Sequence, residues 1–420
     1  MFKNSFLVKE KYLIGSLILI LLSFVYSAYI YLYVQDGHHH GLIYSNATDL
    51  IKGKLPYKEI FIQYGLLTTL IHSSVIVLFG ENIYYINLIT ILIYSLSIFL
   101  IFLVTRKIIN NFYAFLATSL ILANHPVPWL PWSNYISFFF IILALFCYIK
   151  NYKYAYAYAG LCLAFACLSR QDYFIPIFTT FICFFVVSYF NRHKYLKTFI
   201  ETFFYFLSTI FTFVFFLMVA GIFKDWLNYF NLQSIYLQNS ELNIFDYIRE
   251  YILFFFTSAL TSFINLPQYF LILLILMSSS FFIFFNRRYK NSLILFLSIL
   301  SILLSSVAIN LELFRLYSSV SIGIIVLLYL IEKIKSTDFR KFFIFLLSIV
   351  SLFSFCFYPL GNYAPFKKIN TKIKYEKNNI DIFKYQRWPK QINNSLFEYY
   401  QLQKIIFNFC INFFKWSIIT

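Results

Sequence analysis

Asp36, the consecutive histidines His38, His39 and His40, and the run KLPYKEIFIQYG from Lys54 to Gly65 form a polar island in an otherwise apolar chain. A carboxylate at a membrane edge can act as a general base, taking the proton of an acceptor hydroxyl or amine as that group attacks a sugar carbon. The same aspartate suits a helix N-cap, where its oxygen accepts from otherwise unpaired amides. On a helix starting near Asp36, His39 and His40 follow three and four residues on and share its face. Aspartate with histidines can bind a divalent metal, but consecutive residues point in different directions. Substrate contact or interfacial packing are the other roles open to His39 and His40. Lys58, Gln63 and Tyr64 complete a polar rim on this loop. Farther along, Arg170 and Asp172 interrupt two apolar runs, and Arg315 precedes a third. Charged groups at membrane depth are costly and face a cavity or a partner. Arg170 therefore either pairs with Asp172 or Glu312, or holds the phosphate of a lipid donor through its planar fork. Arg315 is a second phosphate candidate.

The elements that must position these residues are membrane helices. The chain is 61% hydrophobic and 12% charged, against about 45–50% and about 25% in soluble proteins. Continuous apolar runs recur along it, and in lipid the backbone must satisfy its own hydrogen bonds, which favours helices. The expected fold class is an all-α polytopic membrane protein. Its spans fall near residues 12–34, 82–104, 112–124, 135–149, 155–168, 173–190, 199–222, 268–285, 292–309, 317–331 and 342–358, about eleven crossings. The basic N-terminus and first apolar run read as an uncleaved first span rather than a signal peptide, the run being long and lacking a small-residue cleavage site. Lys and Arg gather in alternate loops at Arg106-Lys107, Lys150–Lys153, Arg192–Lys197, Arg287–Lys290 and Lys333–Lys341, which gives an N-in, C-out orientation. The acids Asp36, Asp49, Glu59, Asp172, Asp225 and Glu312 then fall outside.

Residues 1–358 read as one transmembrane domain with a first outer loop at 35–81 and a large outer loop at 223–267. Leu66–Phe79 and residues 247–264 break the alternation if they cross, so they are expected to lie on the outer surface as interfacial helices. The third to sixth spans are short and suggest a recessed group of helices beneath an outer cavity. Residues 359–420 form a basic tail, either a solvated segment or a cap that attracts anionic lipid. The six cysteines have no metal-like spacing. No dinucleotide, P-loop or HExxH motif is present, which argues against a nucleotide-driven enzyme or pump.

The order of first span, QDGHHHGLIYSNATDLIKGKLPYKEIFIQYG, a helix ending VLFGEN, then a second span resembles the membrane-embedded GT-C glycosyltransferases. It is similar to their bacterial branch of aminoarabinose transferases and protein O-mannosyltransferases. WSNY (Trp132–Tyr135) and LSRQDYF (Leu168–Phe174) look like segments of the same branch, and the likeness covers residues 1–190 best. Asp36 matches the family's acid after the first span, whereas Gly37 stands where many members carry a second acid. The resemblance implies a polyprenyl-phosphate sugar donor, inversion at the anomeric carbon and transfer on the non-cytoplasmic face. Asp36 would orient or deprotonate the acceptor, Lys58, Gln63 and Tyr64 would help position donor or acceptor, and Arg170 and Arg315 would stabilise the leaving phosphate. The acceptor expected is a glycan or lipid of a bacterial envelope, the site lying outside a multi-pass inner-membrane protein. No cofactor is required by this reading, though a divalent metal is compatible with it, and no nucleic acid is implied. A flippase or transporter, or a polymerase or ligase of lipid-linked glycans, is the alternative. Only ten glycines in 420 residues weigh against the repeated broken helices of transporters.

Overall fold

The computed structural model describes residues 2–32, 37–128, 130–150, 152–191, 196–229, 267–289, 291–306, 313–360, 375–377 and 387–389. Asp36, Trp129, Glu312 and residues 247–264 lie outside these. The described chain runs α1 (Phe2–Ile30), α2 (Gly37–Ile51), α3 (Leu66–Phe79), α4 (Ile83–Ile108), α5 (Asn111–Asn124), α6 (Ser133–Lys150), α7 (Ala155–Ser169), a 3₁₀ turn (Gln171–Tyr173) and α8 (Phe174–Asn191). It continues through α9 (Leu196–Val219), α10 (Pro267–Tyr289), α11 (Ser292–Ser305), α12 (Leu313–Glu332) and α13 (Thr337–Leu360). Residues 223–229 are also helical. Among the described residues a helix lies on each of the eleven expected spans, and Leu66–Phe79 forms α3 with the bounds read from sequence. The all-α expectation needs one addition: Tyr375–Lys377 and Arg387–Pro389 pair as a short antiparallel ladder in the basic tail.

The helix boundaries follow from local chemistry. Asn82 caps α4 by accepting from the Tyr84 amide at 2.9 Å, and Asn110 caps α5 by accepting from the amides of Phe112 and Tyr113. Gly80, with φ 92°, ends α3 in a conformation that side-chain-bearing residues avoid. Five helical segments are long and apolar enough to cross a membrane: Glu10–Ile30, Ile83–Ile108, Ser133–Lys150, Gln171–Tyr189 and Leu196–Val219. The protein is a multi-pass membrane protein. Helices α5 and α7, of 14 and 15 residues, reach only about 21–23 Å at ~1.5 Å per residue, short of the ~30 Å hydrocarbon layer.

Helices α4, α6, α11 and α12 carry the buried core, while α1 and α9 stand at the periphery. On α1, Leu17, Ile18, Leu21, Leu22 and Val25 are exposed, and on α9, Phe204, Phe211, Phe215 and Phe216 are. A soluble protein would not expose such stripes, but lipid solvates them. Lipid tails are as apolar as the helix faces, so association rests on close packing by small residues. Ser301 and Ser319 donate to each other's carbonyls across α11 and α12 at 2.9 and 2.6 Å. Gly160 lets α7 meet α9: a Cβ there would lie 2.5 Å from the Thr202 carbonyl oxygen and 2.8 Å from the Phe206 amide. Gly160→Ala should therefore force α7 and α9 apart at a cost of about 1–3 kcal/mol, read as a lower thermal unfolding midpoint in lipid nanodiscs.

Candidate active site

The alternation of helix directions brings the ends of α1, α5 and α7 to the same end of the bundle as the starts of α2, α6, α8 and α12. The functional candidates on the described residues sit at this end. Arg170 follows the last turn of α7 and is 6% exposed. A guanidinium so placed must be paired. Its Nε donates to both carboxylate oxygens of Asp172 at 2.7 and 2.9 Å, and its Nη2 donates to Oδ2 at 2.7 Å. Its Nη1 donates to the Asn134 side-chain oxygen at the start of α6. The rings of Tyr64 and Tyr173 flank it at 5.7 and 5.6 Å, within cation–π range. Burial by itself works against the charge, but Asp172 outweighs it and holds the guanidinium pKa above its ordinary value. Asp172 itself is largely exposed, its side chain 43% accessible.

The first loop is built onto this turn. The Gln171 amide donates to the Tyr64 carbonyl at 3.2 Å, and the Gln171 side chain donates to the Tyr57 hydroxyl at 3.1 Å. The Thr68 hydroxyl donates to the Ser169 carbonyl at 2.8 Å. Gly65 makes the approach possible, since a Cβ there would lie 2.3 Å from the Leu168 carbonyl oxygen. Tyr57 is held at φ 64°, a strained conformation for a residue with a side chain, which concentrates at functional sites.

The expected residues thus part company. Tyr64, Arg170 and Asp172 come together. Gln63 lines a small polar cavity with Asn46, Tyr64, Thr68, Thr69 and His72, while Lys58 lines a separate cleft beside Asp225. His39 packs its ring 5.2 Å from that of Trp132. His40 turns inward, 3% exposed, with Nε2 3.1 Å from the Asn87 oxygen on α4; it ties α2 to the bundle. Arg315 lies in the first turn of α12, its side chain outside the description, and Asp36 lies outside it altogether. Among the described residues no group of three or more His, Cys, Asp or Glu is placed to hold a metal.

Four participants went unassigned in the sequence. Asn134 lies within WSNY and Tyr57 within KLPYKEIF, both segments already marked as unusual. His125, capping the end of α5, sits 2.8 Å from the Tyr135 hydroxyl and stacks near Tyr317 with centroids 4.9 Å apart. The Tyr173 hydroxyl, 2.7 Å from that of Ser318, links the Arg170 turn to α12. The Arg170 turn is therefore continuous, through Ser318, with a buried aromatic belt joining α4, α5, α6 and α12.

This arrangement of helices has solved counterparts. By sequence, the chain matches neither a protein-family model nor a curated protein. By structure, it superposes on the Archaeoglobus fulgidus oligosaccharyltransferase tethered by a disulfide to an acceptor peptide with an NVT sequon. The TM-score is 0.50 at 14% identity, covering 84% of this chain and 55% of that one. The two chains share a fold. A second structure of the same enzyme, with Zn and sulfate, aligns with TM-score 0.48 at 14% identity over 79% of this chain and 48% of that one. The chain spans about half the length of these oligosaccharyltransferase chains.

Two measurements check the site's construction. Gly65→Ala should push the first loop off the Arg170 turn, costing about 1–3 kcal/mol and raising the rate at which protease nicks residues 52–65. His72 and His125 are both buried, and burial lowers each pKa from 6.5 to about 3. Between those values the unfolded chain binds protons that the folded one excludes, so stability falls as pH drops from about 6.5 towards 3, by about 1.4 kcal/mol per pH unit per histidine. His72→Gln should make the acid slope of the unfolding midpoint shallower by one histidine's share.

Proposed function

We propose that the protein is a GT-C-type glycosyltransferase that moves a sugar from a polyprenyl-phosphate donor to a glycan or lipid acceptor of a bacterial cell envelope. The observation that carries this reading is the joining of the first loop to the Arg170–Asp172 turn, within a fold it shares with an oligosaccharyltransferase. The charged groups that could handle a phosphorylated lipid collect at one end of a bundle whose sides face lipid. With the N-terminus inside, as the Lys and Arg distribution favours, eleven crossings put that end on the extracytoplasmic side, where α2 and α3 lie on the surface.

In this mechanism the acceptor oxygen or nitrogen attacks the anomeric carbon from the face opposite the phosphate. The bond from that carbon to the phosphate oxygen breaks, the electron pair leaves with the polyprenyl phosphate, and the configuration inverts. Asp36, assigned by its chemistry and its place one residue before α2, takes the acceptor proton. Arg315, in the first turn of α12, meets the charge developing on the leaving phosphate. Asp172 occupies the Nε–Nη2 edge of Arg170, so that edge meets a phosphate only by exchanging partners. Otherwise Arg170 is a positioning residue that holds Tyr64 and the first loop against α6 and α8. A divalent cation bound at Asp36 would lower the charge between carboxylate and phosphate; His39 and His40 are engaged elsewhere, with Trp132 and Asn87.

The test is release of polyprenyl phosphate by protein in nanodiscs, given a panel of polyprenyl-phosphate sugars with and without envelope lipid acceptors. Release from one donor that falls by about 10²–10⁴-fold in Asp36→Asn, the range of a lost general base, is the expected result. Normal transfer by Asp36→Asn would remove that residue from the mechanism. Donor binding without release across the panel would point instead to a flippase.

A further inference from the structure

The cleft between the first loop and residues 223–229 has no part in the reaction just described, and its lining has a definite chemistry. Tyr57, Phe61 and Tyr229 supply aromatic faces, and Lys58, Asp225 and Asn228 stand among them. The Tyr229 ring lies 6.0 Å from that of Tyr57 and 5.3 Å from that of Phe61. Phe61 is 57% exposed, although an aromatic ring beside a lipid-facing bundle has apolar surroundings near at hand. Among the described residues, the side chains of Lys58, Asp225 and Asn228 make no hydrogen bond or ion pair. Their neighbour Glu59 is committed, accepting from the Leu55 amide at 2.7 Å. The cleft holds about 330 Å³, at the small end of the ~300–1,000 Å³ common to small-molecule sites.

We propose that this cleft is a carbohydrate subsite, with a pyranose ring seated on the exposed face of Phe61, which Tyr229 backs from within, and its hydroxyls held by Lys58, Asp225 and Asn228. A sugar ring has one apolar C–H face, which suits an aromatic platform, and a rim of hydroxyls, which suits a carboxylate, an amide and an ammonium group. An apolar ligand would leave those three polar groups unpaired, and a bare anion would meet the carboxylate. The strained Tyr57 links the cleft to the site. The turn that holds it at φ 64° is closed by the Tyr57 amide donating to the Ile60 carbonyl at 3.1 Å, and its hydroxyl receives Gln171, the residue between Arg170 and Asp172. A sugar in the cleft is thus one side chain away from the Arg170 turn. The subsite rests on the glycosyl-transfer reading for its purpose, and on its own lining for its ligand.

The experiment uses the full chain in nanodiscs and diazirine-bearing methyl glycosides of glucose, galactose, mannose and N-acetylglucosamine, with crosslinked peptides mapped by mass spectrometry. Crosslinks with at least one of these sugars should fall on residues 55–61 and 223–229. They should drop by about fivefold or more in Phe61→Ala and in Asp225→Asn, and return in Phe61→Trp. An unchanged unfolding midpoint shows that each variant is folded, as expected for an exposed ring. Crosslinks mapping elsewhere, or unchanged in the folded variants, overturn the subsite. In the transfer assay, a KM raised for the acceptor alone assigns the cleft to the acceptor's sugar, and one raised for the donor alone assigns it to the donor's. Transfer with both KM values unchanged overturns the subsite and leaves the transferase reading intact. Cleft labelling with no transfer from any donor overturns the transferase reading and leaves the subsite.

Discussion

A guanidinium buried among apolar helices must be neutralised and hydrogen-bonded, and meeting that need fixes most of what surrounds Arg170. Asp172 supplies the charge, Asn134 an oxygen from α6, and Tyr64 and Tyr173 their ring faces. Those partners come from the first loop, the start of α6 and the start of α8. Satisfying one side chain therefore holds three separate stretches of chain at one end of the bundle. Breaking such a pair leaves a buried charge uncompensated, which costs more than the pair itself contributes.

The same end is assembled by close backbone approach as much as by polarity. Gly65 brings the first loop against the α7 carbonyls, and Gly160 brings α7 against α9. Neither glycine needs an unusual dihedral; each is required because a methyl group would not fit. Helix α7 is thus gripped from two sides and ends short, with Arg170 at its tip. Helix α5 ends short in the same way, with His125 at its tip beneath Tyr94, Tyr135 and Tyr317. Polar residues gather at both short ends because the backbone at a helix end needs partners.

The surface α2–α3 layer is attached by individually modest contacts. Asn46 donates to the Phe61 carbonyl at 2.7 Å and Ser73 to the Ala47 carbonyl at 3.0 Å, while His40 reaches Asn87. His72, kept neutral by burial, makes this layer sensitive to acid, since no charged group among the described residues offsets the cost of protonating it. The strain at Tyr57 sits at the outer edge of the same layer, where the loop must turn to meet both Gln171 and the helical segment 223–229.

The sequence by itself determined the helices, because membrane spans depend on local apolarity and length. Among the described residues a helix lies on each of the eleven apolar segments, and α3 was legible to the residue, bounded by Gly65 and Gly80. It offered Asp172 as one partner for Arg170, beside Glu312 or a lipid phosphate, and the structure pairs the guanidinium with Asp172. It could not separate His39 from His40, because which ring enters the bundle depends on the azimuth of α2 against α4. Nor could it find Asn134 or Tyr57, whose roles arise from contacts across 36 and 114 residues of chain. Only the tertiary structure decided those, because a long-range polar contact is fixed by how helices pack, and packing is set by the shapes of several segments together.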